Sequence, residues 1–227
     1  MLERAAHGLH QDVFDFVKPL LTPDLSVLDF GCGEGAFAQR LTDAGLAVDA
    51  CDLDIDQIKG QVKNKIRIDL NQTAFESNFS KKYEMVFAIE IIEHLENPWK
   101  TLRDALSVVD EGGYLVLSTP NVSSFISRLR FFMRGTLLAF EKPDLAHGHI
   151  TPMPFFQLEY VIKCLKLKIV KTGYGGPVPL FHFVELSRYG ILRNTLLPFI
   201  YPFMSGPKQG RALIYLLQKE KTNLPRK

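Results

Sequence analysis

The chain has 227 residues, 46% of them hydrophobic and 23% charged, which excludes a disordered or collagen-like polymer. Its length favours one domain over residues 1–227, large enough to bury a core without staples. A net charge of +2 hides an asymmetry: residues 1–120 carry 11 basic and 20 acidic side chains, and residues 121–227 carry 16 and 5.

The elements follow in chain order. His7–Leu21 places Leu9, Val13, Phe16, Val17 and Leu20 at helical spacing, with Pro23 as a stop. LSVLDF (25–30) reads as a buried strand, GCGEG (31–35) as a turn, and 36–45 as a helix closed by Gly45. Strands are expected at 46–52, 65–70 and 83–90, with a short helix at 54–60. Asn97 and Pro98 open a helix reaching 110, and a fifth strand runs over 114–120. Alternating strands and helices predict an α/β fold with a parallel sheet covered on both faces. Beyond Pro120 the pattern loosens. A helix is expected at 151–167 and strands at 167–175 and 211–219, with insertions over the ligand face at about 121–149 and 176–208.

Cys32, Cys51 and Cys164 form no CxxC pair, and the N-terminal residues lack the apolar core of a signal peptide. No run of 18 apolar residues occurs. A reducing, cytoplasmic setting is the expectation, with the cationic C-terminal half allowing contact with the inner face of an anionic membrane.

The strongest chemical signal is Val27-Leu28-Asp29-Phe30-Gly31-Cys32-Gly33-Glu34-Gly35, a glycine turn between a strand and a helix. Such a turn lies at the carboxyl edge of an open sheet, where the next helix aims free N–H groups at a ligand. Gly31-x-Gly33-x-x-Ala36 with Asp52 further on fits a nucleoside ligand, the carboxylate accepting ribose hydroxyls. Asp29 separates the possibilities. A carboxylate there repels a pyrophosphate, which weighs against a nicotinamide enzyme, and suits the cationic amino group of S-adenosylmethionine.

These residues resemble motif I of the class I S-adenosylmethionine-dependent methyltransferases. The likeness continues in order through Val48–Asp52, Ile68-Asp69-Leu70, the stretch from Phe87 to Leu95 with Asn97-Pro98, and the stretch from Glu111 to Asn121. It implies a Rossmann-like seven-stranded sheet of order 3-2-1-4-5-7-6 with strand seven antiparallel. It also implies cofactor contacts from Asp29, Gly31, Cys32, Gly33, Asp52, Leu53, Asp69, Leu70 and Ile89. Cys32 reads as filler of the turn rather than a nucleophile.

Glu90-Ile91-Ile92-Glu93-His94 places three titratable side chains at helical spacing, one face of a turn that could hold a divalent cation. The pattern is similar to a metal-associated motif of ubiquinone-biosynthesis O-methyltransferases and small-RNA 2′-O-methyltransferases. That likeness implies a cation (magnesium, manganese or zinc) held by Glu90, Glu93, His94 and a later histidine, for which His149 is the choice. In the metal-free alternative, His94 and Glu93 serve as catalytic groups alone.

Acceptor identity is assigned to the two insertions. Phe125, Leu129, Phe131 and Phe132 stand among Arg128, Arg130 and Arg134 in the first; Phe181, Phe183, Leu196, Phe199, Tyr201 and Phe203 stand in the second. Apolar and cationic surface together fit a small or lipid-like acceptor, methylated at oxygen, at an anionic membrane. The resemblance to the ubiquinone-type enzymes adds polyprenyl phenols as an acceptor class. Scattered basic residues without a recognition module weigh against a nucleic-acid substrate. The intact glycine turn and acids weigh against a binding scaffold that has lost catalysis.

Overall fold

The computed structural model describes residues 5–72, 76–176 and 201–221. Seven strands form one sheet: β1 Val27–Phe30, β2 Val48–Asp52, β3 Asn64–Arg67, β4 Tyr83–Ile89, β5 Val109–Pro120, β6 Leu167–Gly175 and β7 Ala212–Lys219. Their order is β3-β2-β1-β4-β5-β7-β6. All neighbours pair parallel except β7, which runs antiparallel to both β5 and β6. This is the expected architecture, in the expected order.

The period of two explains why the strands read as continuous apolar runs. Along β4, Val86 and Ala88 enter a core with Leu28, Phe30, Leu115 and Leu117, under α3 (Pro98–Ser107) and α6 (Phe155–Cys164). Met85, Phe87 and Ile89 enter the opposite core with Val27, Val48 and Val116, under α1 (Leu9–Val17) and α2 (Ala36–Asp43). Both faces are therefore buried, as parallel sheets require.

Several boundaries differ from the sequence expectation. The short helix at 54–60 is a single three-residue turn, Ile55–Gln57, capped by the Asp54 carboxylate. The third strand stops at Arg67, and the Asp69 carboxylate then accepts the Asn71 N–H at 2.9 Å, turning the chain away. The helix from Pro98 ends at Ser107 because Val109 already pairs with Tyr83, so β5 begins five residues early. The segment 109–113 carries a register shift, with Gly112 at φ +84°.

Between β5 and α6 lie α4 (Phe125–Arg134) and α5 (Lys142–Ala146). Ser124 caps α4 by accepting the Ser127 N–H, and Gly135 closes it in the left-handed conformation. Arg128, read as part of a basic surface, instead donates to the carbonyls of Ser123 and Ser205 at 2.8 and 2.7 Å. Asn121 donates to the carbonyls of Pro207 and Gln209. These bonds fasten the chain before β7 onto α4. Of the second insertion at about 176–208, residues 177–200, with Phe181 and Phe199, lie outside the described residues.

Candidate functional site

The carboxyl edges of β1, β2 and β4 bring the sequence-selected residues together. After β1 the chain reverses at once: the N–H groups of Gly31 and Cys32 both donate to the Cys51 carbonyl, and the Gly35 N–H to the Cys32 carbonyl. Gly31 and Gly33 carry φ of +75° and +55°. A Cβ on Gly31 would stand 2.6 Å from Ile91 Cγ1, whereas one on Gly33 would meet nothing within 4 Å. The first glycine is thus required by packing as well as conformation, and the second leaves open space over the turn. Gly31→Ala is expected to cost about 2–4 kcal/mol, from left-handed strain plus overpacking, read as a lower denaturation midpoint.

Asp29 is a buried acid at the end of β1. It is 2% exposed, and its Oδ2 has no hydrogen-bond partner. Burial raises its pKa to about 7, opposed by a backbone hydrogen bond from Ala38 and reinforced by the nearby Asp52. A buried carboxylate oxygen without a partner is costly unless it meets a proton or a cation. The donor chemistry therefore fits a ligand bearing an ammonium group.

Asp52 serves the turn itself. Its Oδ2 accepts the Gly33 N–H at 2.8 Å, and its Oδ1 accepts from Asp54 N–H and Gln57 Nε2 at 3.2 and 3.1 Å. One of about four lone-pair positions is left for a ligand hydroxyl. Beside it Leu53 is 61% exposed, while Leu70 and Ile89 are buried. Cys32 is half-buried; burial, Asp29 and Asp52 push its thiol pKa strongly upward, which fits filler and not a nucleophile.

The expected helical face across 90–94 is not what forms. Glu90 has φ +49°, and only Ile92–His94 make a turn, a 3-10 one. The Glu90 Oε1 accepts from Ser118 Oγ at 3.1 Å, and Ser118 Oγ also receives the Glu90 N–H. Glu93, His94 and His149 gather, with ligating atoms all within 4.8 Å of one another, and Glu90 is not in that group. The reason is geometric: a left-handed residue at 90 breaks the i, i+3 relation that the spacing implied.

His149 is brought in by backbone pairing. The N–H groups of Ile150 and Thr151 donate to the Glu93 carbonyl at 2.9 and 3.0 Å, and Thr151 Oγ1 to the Leu95 carbonyl at 2.7 Å. The His94 and His149 rings meet edge-on, centroids 4.6 Å apart. Glu93 is fully buried; Oε2 accepts from Thr119 Oγ1 at 3.2 Å, and Oε1 has no partner. Burial and the adjacent Glu90 hold the Glu93 carboxyl well above its ordinary range, and burial raises Glu90 to about 7. Burial and His149 lower His94 to about 4, leaving a neutral imidazole at pH 7.

Ligands bound 2.0–2.2 Å from a cation lie at most about 4.4 Å apart. The Glu93, His94 and His149 atoms need only a small contraction to reach that, and the partnerless Glu93 Oε1 is a donor in waiting. The residues present fit a divalent cation. Sequence reasoning missed Ser118 and Thr119, the hydroxyls that hold Glu90 and Glu93. The signal was their place in the fifth strand, beside the end of the fourth.

A family described as "Methyltransferase domain" matches residues 3–167. A ubiquinone biosynthesis O-methyltransferase of Rickettsia bellii is 34% identical over 103 residues, 43% of this chain and 43% of that one. The chain thus spans under half the length of that relative. Among solved structures, an S-adenosylmethionine-dependent methyltransferase from Archaeoglobus fulgidus is similar over 92% of this chain and 94% of its own. The TM-score is 0.63 at 19% identity. The magnesium protoporphyrin IX methyltransferase of Synechocystis with bound S-adenosylhomocysteine is similar over 93% and 83%, with TM-score 0.59 and 17% identity. Both are likenesses of fold.

Proposed function

We propose, for a chain that belongs to the class I S-adenosylmethionine-dependent methyltransferases, that it methylates an oxygen of a small, apolar acceptor, with Glu93, His94 and His149 handling the acceptor hydroxyl. The observation that carries this reading is the convergence of those three side chains at the end of β4, beside the glycine turn.

S-adenosylmethionine supplies the activated methyl group, so the chain's task is alignment and proton removal. Asp29 would take the cofactor's ammonium group, Asp52 a ribose hydroxyl, and Asp69 the adenine edge. Leu53, Leu70 and Ile89 would cover the adenosyl group with apolar surface, and Gly31, Cys32 and Gly33 would pass beneath it. A phenol or alcohol is a weak nucleophile until its proton leaves. In the cation-free route His94, neutral at pH 7, would accept that proton; its one lone pair serves either that role or a cation, not both. The Glu93–His94–His149 set, with Glu90 behind it, would hold a divalent cation, and such an ion would lower the pKa of a hydroxyl beside it.

The test is methyl transfer to a panel of phenols, catechols, amines and thiols, with magnesium, manganese or zinc against a chelator. The expected result is O-methylated product that disappears with the chelator. N-methylation alone would overturn the oxygen reading, and chelator-insensitive transfer would overturn the cation.

A lipid-like acceptor at a membrane is favoured by α4, where Phe131 is 59% and Phe132 84% exposed, beside Arg130 and Arg134, which share Glu141 as their ion-pair partner. Among the described residues no helix is long and apolar enough to cross a membrane. Flotation on vesicles containing anionic lipid is expected to recover the wild type and to lose the Phe131→Ser/Phe132→Ser variant. Absence of wild-type flotation would remove the membrane.

A further inference from the structure

β5 ends in Leu115-Val116-Leu117-Ser118-Thr119-Pro120, an apolar run broken by two consecutive hydroxyl residues. Both are buried. A buried hydroxyl is costly unless it is hydrogen-bonded, and valine would fill the place of threonine in a strand with the same branched shape. What each hydroxyl binds therefore matters. Ser118 Oγ donates to Glu90 Oε1 at 3.1 Å, and Thr119 Oγ1 to Glu93 Oε2 at 3.2 Å.

Successive side chains of a strand point to opposite faces. Leu115 and Leu117, two and four residues before Thr119, enter the core under α3 and α6. Val116, two residues before Ser118, enters the core under α1 and α2. The two hydroxyls thus leave the strand on opposite sides, and each takes one acid. Thr119 holds Glu93, which gathers with His94 and His149; Ser118 holds Glu90, which does not.

Glu93 has need of such a partner. The last torsion of a glutamate side chain is broad and not confined to staggered wells. The Ile150 and Thr151 N–H groups fix the Glu93 carbonyl, but they do not set the plane of its carboxylate. Among the described residues, Thr119 is the one side chain that hydrogen-bonds that carboxylate, and Oε1 has no partner.

We propose that Thr119 is a positioning residue: its hydroxyl engages Glu93 Oε2, sets the plane of the carboxylate and leaves Oε1 for a divalent cation shared with His94 and His149. The role rests on reading Glu93 as a site residue. Ligating carboxylates are themselves held by hydrogen bonds, and losing such a partner costs about 10- to 100-fold in metal affinity or activity.

The experiment is titration calorimetry of Mn2+ into the full chain, freed of metal by a chelator, with crystal structures of wild type, Thr119→Val and Thr119→Ser. The two substitutions divide the side chain. Valine keeps the branched shape and lacks the hydroxyl; serine keeps the hydroxyl and lacks the methyl group. Thr119→Val is expected to turn the Glu93 carboxylate out of its wild-type plane and to weaken Mn2+ binding about 10- to 100-fold. Thr119→Ser is expected to keep both the carboxylate plane and the wild-type affinity. A role in packing alone would reverse the order, because serine opens a methyl-sized cavity and valine does not.

An unmoved carboxylate in Thr119→Val would overturn the proposal. Where wild type binds Mn2+, so would wild-type affinity in Thr119→Val, or a Thr119→Ser protein that binds as weakly as the valine variant is expected to. The serine variant keeps the test decisive even if the valine variant does not fold. Should Mn2+ bind none of the three proteins while the carboxylate moves in Thr119→Val alone, the positioning role stands and the cation reading of the site falls.

Discussion

Asp29→Asn is expected to weaken binding of S-adenosylmethionine and S-adenosylhomocysteine by roughly 30- to 4,000-fold, measured by titration calorimetry. Removing one member of a buried, hydrogen-bonded charge pair costs about 2–5 kcal/mol, and each 1.4 kcal/mol is tenfold in affinity. Asparagine keeps the volume and one acceptor oxygen, so the loss isolates the charge. The wild-type pH profile carries a second signature. The ammonium group needs the ionised carboxylate, whose pKa without ligand lies at about 7. Wild-type affinity should rise about tenfold per pH unit up to that point, level off, and fall again above about 8 as the ligand's α-amino group deprotonates. Asp29→Asn should lack the rising limb. A mutant that binds within threefold of wild type would remove Asp29 from the cofactor site.

The same substitution should act oppositely on the protein without ligand. The Asp29 pKa is raised from 3.8 to about 7 in the folded chain. The native state therefore holds a proton that the unfolded state has lost, and stability falls as pH rises through that window. At pH 8 the full penalty, on the order of a few kcal/mol, is present. Asp29→Asn should then melt higher than wild type, by a margin that grows from pH 4 to 7 and stays constant above. Glu90 and Glu93 push stability the same way and His94 the other, since its lowered pKa loses stability as pH falls. Taking the mutant-minus-wild-type difference cancels those contributions. Higher apo stability with lower cofactor affinity marks a group whose burial serves ligand binding and not the fold.

How much of this was legible in the sequence follows from the range of the interactions involved. The strand order came from the family resemblance, whereas the strands and the glycine turn rest on local patterns: apolar runs bounded by glycine and proline, and one turn that only glycine can make. Hence Leu167–Gly175 is found at the expected bounds and Ala212–Lys219 within one residue. The start of β5 was not legible, because Asp110-Glu111-Gly112-Gly113 looks like a helix end and joins the strand only as an irregular stretch between the Val109–Tyr83 and Tyr114–Met85 pairings with β4. Charge was misleading for a related reason. Arg128 donates to two backbone carbonyls, and Arg130 pairs with Glu141 at 3.0 Å, so part of the basic face is internal structure. The helical spacing of Glu90, Glu93 and His94 was real as a pattern and wrong as geometry, since no single-residue propensity announces a glutamate at positive φ. His149 was reachable only through the family likeness, which calls for a further histidine from the chain after β5, and that chain must fold back. It does so through two N–H groups on the Glu93 carbonyl.

Glu93→Gln is the second substitution expected to have a large effect, and it should separate chemistry from cofactor binding. Glutamine matches the shape of a fully buried side chain and can still accept from Thr119 Oγ1, so the fold should survive. It removes an ionisable donor from the Glu93–His94–His149 set and places an amide nitrogen or neutral oxygen where the partnerless Oε1 now stands. Loss of a positioned acid–base or cation-holding group costs about 10²- to 10⁴-fold in rate. Methyl transfer should fall within that range, with cofactor affinity unchanged within about twofold, because Asp29 and the glycine turn are untouched. His94→Gln should lose a comparable amount. If the two act as one unit, the double variant should be little worse than either single one, since each alone already disables the set. Additive losses would mean that Glu93 and His94 contribute independently. A Glu93→Gln protein with full activity would return the carboxylate to the role of a buried structural group and leave His94 as the only acid–base residue proposed.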